Sequence, residues 1–202
     1  IDVVPIFLEV MVVDLKQEIM ADSRNASFTS QGLEPIYMIA PTVKILIIGQ
    51  APGAVVEQTG ILFNDKSGDR LREWMGIDRT TFYDSGLIGV LPMDFYFPGK
   101  GKRGDLPPRK FVAGEWHQRL LDTMPDIELI LLVGKYAQQH YLPIKASESL
   151  TSVVHRFADF GPRYLPLAHP SPLNNIWLAK NPWFETDVVP ALQKRVADIL
   201  KK

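Results

Sequence analysis

Two short stretches of this chain combine residue types able to do chemistry with spacings that would present them. The first is Gly49-Gln50-Ala51-Pro52-Gly53, which follows the apolar run 45–48. Gly49 and Gly53 let a ligand approach the main chain, Pro52 stiffens the turn, and the backbone N–H groups around Ala51 can bond a planar polar group. An ordinary strand-to-loop turn is the other reading of the same five residues. The second stretch is His169-Pro170-Ser171-Pro172-Leu173-Asn174-Asn175, an imidazole, a hydroxyl and two amides on a backbone stiffened by two prolines. The glycines of the first stretch match neither G-x-G-x-x-G nor G-x-x-x-x-G-K-[ST], and no lysine follows to reach a phosphate. A generic nucleotide loop is therefore a weak reading.

A third stretch is basic. Between residues 100 and 110, Lys100, Lys102, Arg103, Arg109 and Lys110 face only Asp105, beside Phe95, Tyr96 and Phe97. Cations interleaved with aromatic rings suit a single nucleic-acid strand or an opened duplex, with affinity falling as salt rises. A solvated loop is the alternative. The formal net charge of the chain is −1, so any nucleic-acid surface has to be a local patch. There is no cysteine, which excludes disulfides, thiol catalysis and cysteine-ligated metal or iron–sulfur sites.

These segments must be held by regular elements. Residues 5–21 have Val10, Val13, Leu15 and Ile19 near helical spacing, interrupted by acids and with no basic leader, which predicts an amphipathic helix rather than a signal or membrane segment. Residues 22–41 are polar and turn-rich and are expected to wrap the body. Strands are predicted over 44–49, 86–92, 127–134 and 163–169. Helices are predicted over 67–76 (with Ser67 as cap, Leu71 and Trp74 inward and Gly76 as stop), 110–124, 135–142, 147–157 and 185–202. Pro190 falls in the first turns of the last helix, where proline is tolerated. Residues 95–109 hold three glycines and three prolines and are expected to form one long irregular loop.

Short apolar strands alternating with helices argue for an α/β fold. We expect a three-layer α/β/α arrangement on a central, mostly parallel four-stranded sheet. With 202 residues, 46% of them hydrophobic, one domain over 1–202 is expected, residues 1–43 being its helical, wrapping N-terminal segment. In such sheets ligands bind at the carboxyl ends of the strands, so the two unusual stretches should open on one rim.

On Gly49–Gly53 and His169–Asn174, in that order and at matching strand ends, the chain resembles the uracil-DNA glycosylase superfamily. Residues 49–77 also look like its family-4 pattern, a Gly-Glu-Ala-Pro-Gly turn, an acid, Thr-Gly, a Phe, then a small-residue turn into a helix. The resemblance covers roughly 44 to 202. It implies that a base rotated out of DNA is held in a pocket by Gly49, Ala51, Pro52 and Gly53, with Phe63 stacked on it; packing in the core is the other reading of Phe63. It implies that His169 hydrogen-bonds a carbonyl of the departing base as negative charge develops there. Ser171 and Pro172 would press on the phosphate backbone, and Leu173 would fill the space the base leaves, the alternative being a leucine packed under its own loop.

The chain also departs from the family pattern. The third position of the first motif, an aspartate in family 1, is Ala51; the second, a glutamate in family 4, is Gln50. Water would then be placed by Gln50 or by an acid from elsewhere, Asp65 as in family 5, or Glu57. The iron–sulfur cysteines are missing, and Gly89 and Val90 stand about where an asparagine would read uracil's imide edge. Gly53 replaces the tyrosine that excludes thymine in family 1, which leaves the pocket more open to other deaminated bases.

The expected activity is therefore hydrolysis of the N-glycosidic bond of uracil or another deaminated base in DNA. The catalytic set is His169, Gln50 and Asp65, and Lys100, Lys102 and Arg103 would add to the DNA surface. No cofactor or metal is called for. The expected protein is a cytoplasmic monomer with DNA as partner and no membrane association. Two other readings stay open: a non-catalytic nucleic-acid-binding module on the same fold, and a hydrolase of small nucleosides.

Overall fold

The computed structural model describes residues 3–102 and 104–201. Helix α1 (Val3–Ala21) leads through a 3-10 turn (Ser23–Asn25) into α2 (Ala26–Thr29). Then come β1 (Ile45–Ile48), α3 (Ala54–Thr59), α4 (Lys66–Met75), α5 (Arg79–Asp84) and β2 (Ile88–Val90). A small hairpin, β3 (Lys100–Gly101) and β4 (Gly104–Asp105), precedes α6 (Lys110–Leu121), β5 (Leu129–Val133), α7 (Lys135–Tyr141), α8 (Leu150–His155) and β6 (Tyr164–Leu167). The chain closes with α9 (Asn175–Lys180) and a wide π-type turn (Phe184–Val188) that runs on into α10 (Val189–Leu200), with its proline in the first turn as expected.

The four main strands lie in the order β2-β1-β5-β6, every pair parallel. An antiparallel bridge between Met38 and Val90 lays the end of the N-terminal segment along the β2 edge. Successive side chains of a strand face opposite ways. Ile45 and Ile47 of β1, with Leu129, Leu131 and Val133 of β5, meet Leu71, Trp74 and Met75 of α4 and Leu192, Val196 and Ile199 of α10. Leu46 and Ile48, with Ile130 and Leu132, meet Leu15 and Ile19 of α1 and Val112, Trp116 and Leu120 of α6. Each such aliphatic side chain contributes about 1.5–3 kcal/mol on full burial. This is why a strand only four residues long, apolar on both faces, is stable at the centre of the sheet. Among the described residues no helix is long and apolar enough to cross a membrane.

Four expectations are corrected. In α1, Leu15 and Ile19 are buried in the cluster that holds Val112, Trp116 and Leu120 of α6, but Val10 and Val13 are exposed and take no part in it. Helix α4 begins one residue early and its cap is Asp65, whose Oδ1 accepts the Gly68 N–H at 3.0 Å; Ser67 is buried in the first turn. Residues 95–109 are not wholly irregular, since Lys100 pairs with Asp105 and Gly101 with Gly104 in the hairpin. The basic patch is smaller than its composition. Arg109 lies beneath it in a double ion pair with the fully buried Asp94 carboxylate (Nη2–Oδ1 and Nε–Oδ2, both 2.8 Å), and Phe95 and Tyr96 are core residues.

Candidate functional site

At the carboxyl ends of β1 and β6 a cavity of about 320 Å³ opens on the surface, in the size range of small-ligand pockets. Gly49, Gln50, Ala51, Pro52 and Gly53 form one wall. Phe63, Asp65 and Ser67 form a second, Val90 and Pro92 lie at the end of β2, Lys100 and Asp105 come from the hairpin, and His169 closes the ring. The two stretches singled out by composition thus meet at one rim.

Phe63 sits here at a backbone cost. Its φ of +55° is the one positive value among the described non-glycine residues, a left-handed conformation that bulky side chains avoid. Its surroundings hold it there. Arg72, buried on α4, donates to the Phe63 carbonyl at 3.1 Å, and Tyr83 of α5 donates to the Leu62 carbonyl at 2.8 Å. The carbonyl of Phe63 rests against Gly68, where an added β-carbon would be 1.6 Å from it. The ring is half-buried, edge-on to Phe82 (centroids 6.4 Å apart), and its Cζ reaches to 3.9 Å from where a β-carbon on Gly49 would stand. The ring therefore packs on the core with one edge and lines the cavity as well.

His169 is oriented by its own loop. Its Nδ1 accepts the Ser171 N–H at 3.1 Å, which assigns the proton of a neutral ring to Nε2. Burial lowers the pKa of His169, and the negative charge of Asp65 opposes that shift without reversing it. The Asn174 amide donates to the His169 carbonyl at 2.8 Å, and Arg70 of α4 donates to the carbonyls of Pro170 (3.3 Å) and Ser171 (3.2 Å). A neutral imidazole with a fixed N–H donor is the result. Beyond it, a 3-10 turn (Pro172–Asn174) lifts Leu173 clear of the protein, 91% exposed, and Ile176 is 72% exposed one turn later. Leu173 is not packed under its loop.

The other expected residues divide. Gln50 lines the cavity but its Nε2 donates to the Leu106 carbonyl at 3.2 Å, tying the hairpin to the first motif. Asp65 lines the cavity and gives one oxygen to the α4 cap. Glu57 does not reach the site: it faces a separate depression on the other side of α3, with Lys16 and Glu34. Lys100 stands in the cavity wall, 3.3 Å from Asp105, and Lys102 is exposed at the hairpin turn. Arg103 lies outside the described residues. Val90 lines the cavity where the family pattern has an asparagine, while Gly89 packs closely on Val43 and Leu46. Among the described residues no cluster of three or more His, Asp or Glu suited to a metal occurs.

Arg72, Gly68 and Arg70, to which neither motif points, and Asn174 of the second motif position the two central side chains. Arg72 had a signal of its own, a guanidinium next to the inward Leu71 on α4, where an unpaired charge would be costly. In the sequence Asp105 reads only as a counter-charge to its basic neighbours.

In comparisons with known proteins, the model of the uracil DNA glycosylase superfamily matches residues 36–193. A solution NMR structure of a candidate uracil DNA glycosylase from Methanosarcina acetivorans aligns with 80% of this chain and 98% of its own, at 14% identity and a TM-score of 0.46.

Proposed function

The chain belongs to the uracil DNA glycosylase superfamily, and from that premise we propose that it excises uracil or another deaminated base from DNA. The observation that supports this most is the meeting of Phe63 and His169 across one cavity open to the surface. A base inside a duplex must first leave the stack, at a cost of roughly a few kcal/mol. The exposed Leu173 takes its place in the helix, and Ser171 and Pro172 hold the backbone. Phe63 restores stacking inside the cavity.

Chemistry then needs one bond broken and one formed. As the N-glycosidic bond breaks, its electron pair moves onto the base, and the Nε2–H of His169 donates to the base carbonyl where that charge collects. A neutral donor held in place by its own loop stabilises this charge more in the transition state than in the ground state. Water adds to the sugar cation, and the proton it loses ends on the departed base anion, giving an abasic site and the free base. Asp65 is the group we place nearest that water, with Gln50 orienting it through its carbonyl oxygen.

A non-catalytic DNA-binding module is the second reading. It is favoured by the structural uses already made of both water-placing groups, Asp65 as a helix cap and Gln50 as a tie to the hairpin. Oligonucleotides carrying uracil, hypoxanthine or xanthine, single- and double-stranded, separate the two. Abasic product that disappears in His169→Ala is expected; salt-sensitive binding with no product would establish the module. Turnover of free nucleosides without DNA binding would overturn both.

A further inference from the structure

Resting on the base-pocket reading above, we propose that the β3–β4 hairpin reads the edge of the extruded base, with Asp105 accepting from a ring N–H and Lys100 donating to the carbonyl beside it. The chemical class selected is a base with an imide edge.

Four observations support this. Val90 and Pro92, neither with a polar side chain, line the cavity at the end of β2. Lys100 and Asp105 are cross-strand partners in the hairpin, both line the cavity, and Nζ and Oδ1 lie 3.3 Å apart. A donor and an acceptor side by side match adjacent C=O and N–H groups of a planar ring. The hairpin is seated against the first motif by the Gln50 amide on the Leu106 carbonyl, and Leu106 N–H in turn bonds the Gly99 carbonyl at 2.8 Å. Finally, Gly53 leaves room below the pair: a β-carbon there would be 3.8 Å from Asp105 Oδ2, so the carboxylate stands over the first motif.

The Asp105 side chain is 35% exposed and that of Lys100 72%, which puts the carboxylate deeper and the ammonium at the rim. The Nε2–H of His169 lines the same cavity, so the lining supplies two donors and one acceptor. That set complements carbonyl, N–H, carbonyl, the imide edge of uracil, thymine and xanthine. Cytosine sets an unprotonated ring nitrogen against the Asp105 carboxylate, lone pair to lone pair, and its amino group against the Lys100 ammonium. Each mismatch puts a repulsive contact where uracil makes a hydrogen bond.

The test uses uncleavable probes, duplexes carrying one 2′-fluoro-2′-deoxyuridine or one 2′-fluoro-2′-deoxycytidine, with the full chain and three variants. Wild type is expected to bind the uracil probe about tenfold or more tightly than the cytosine probe. Asp105→Asn, whose amide both donates and accepts, should bring the two within about threefold. Lys100→Met should weaken the uracil probe and spare the cytosine probe. Lys102→Met, on the same hairpin but outside the cavity, should weaken both equally through phosphate. A cytosine preference in wild type, or an unchanged preference in Asp105→Asn with an unaltered melting temperature, would overturn the proposal. A parallel cleavage assay on ordinary deoxyuridine keeps the two readings apart. Product with an unchanged Asp105→Asn preference sinks the hairpin's role and leaves the glycosylase. A uracil preference lost in Asp105→Asn, with no product from wild type, sinks the glycosylase and leaves the hairpin.

Discussion

The carbonyl oxygen of Phe63 lies 1.6 Å from the point a β-carbon would occupy on Gly68, so the turn carrying the cavity's aromatic ring meets helix α4 through bare backbone. Gly68→Ala must push that turn away, release the Arg72 bond to Phe63 and swing the ring. We expect a loss of about 2 kcal/mol or more in urea unfolding, together with loss of base binding. Gly114→Ala is the control. It lies exposed within α6 with nothing inside 4 Å of an added β-carbon, and should stabilise by about 0.5–1 kcal/mol.

Legibility from sequence followed the range of the forces involved. Ile45–Ile48 and Leu129–Val133 announce a doubly covered sheet because burial on both faces demands an unbroken apolar run. The convergence of Gly49–Gly53 with His169 follows from a topology rule about strand ends. Polar side chains whose partners lie far off in sequence did not announce themselves. Arg109 reads as one more cation in a basic loop until Asp94, buried between β2 and that loop, is seen to hold it. Asp65 reads as a candidate base until its oxygen is found on the Gly68 N–H. Composition gives a group's charge but not which neighbour has claimed it.

The Asp94–Arg109 pair fixes the base of the hairpin loop. The Asp94 carboxylate is fully buried and accepts from the Arg109 main chain, the Arg109 side chain and the Tyr96 N–H. Arg109→Met strands that charge and should cost about 3–5 kcal/mol in urea unfolding. Asp94→Asn combined with Arg109→Met buries no charge and should recover part of the loss. Additive losses in the double variant would count against the pairing.

His117 supplies a test in acid. Its ring is buried between the Tyr141 hydroxyl on Nδ1 (2.6 Å) and the Pro92 carbonyl on Nε2 (2.9 Å), and burial pushes its pKa down to about 4. The unfolded chain takes up this proton near pH 6.5, before the folded one does. Its contribution is therefore complete above pH 6.5 and is lost as pH falls from 6.5 to 4, to a total of about 3 kcal/mol. His117→Phe should flatten that part of the stability–pH curve. An unchanged slope would show that His117 is not the titrating group.

The proposed role of His169 has its own pH signature. Its pKa lies below the ordinary histidine value because of burial, and Nδ1 already accepts the Ser171 N–H, so the neutral ring is the working form. Excision rate, as kcat/KM, should stay flat from neutral pH down past about 6.5 and fall only below that. A decline centred at or above 6.5 would show a solvated imidazole and contradict this placement.

Leu173 separates stability from function most sharply. A leucine 91% exposed contributes nothing to the core, so Leu173→Ala should leave the melting temperature within about 2 °C of wild type. If it holds the gap in an opened duplex, its loss lets the base fall back into the stack. Excision from duplex DNA should then drop about tenfold or more, while excision from a single strand, where no stack competes, should not change. Equal losses on both substrates would mean that Leu173 acts on the loop carrying His169. The Ser171 N–H bond to Nδ1 and the Asn174 amide bond to the His169 carbonyl are the routes by which it would do so.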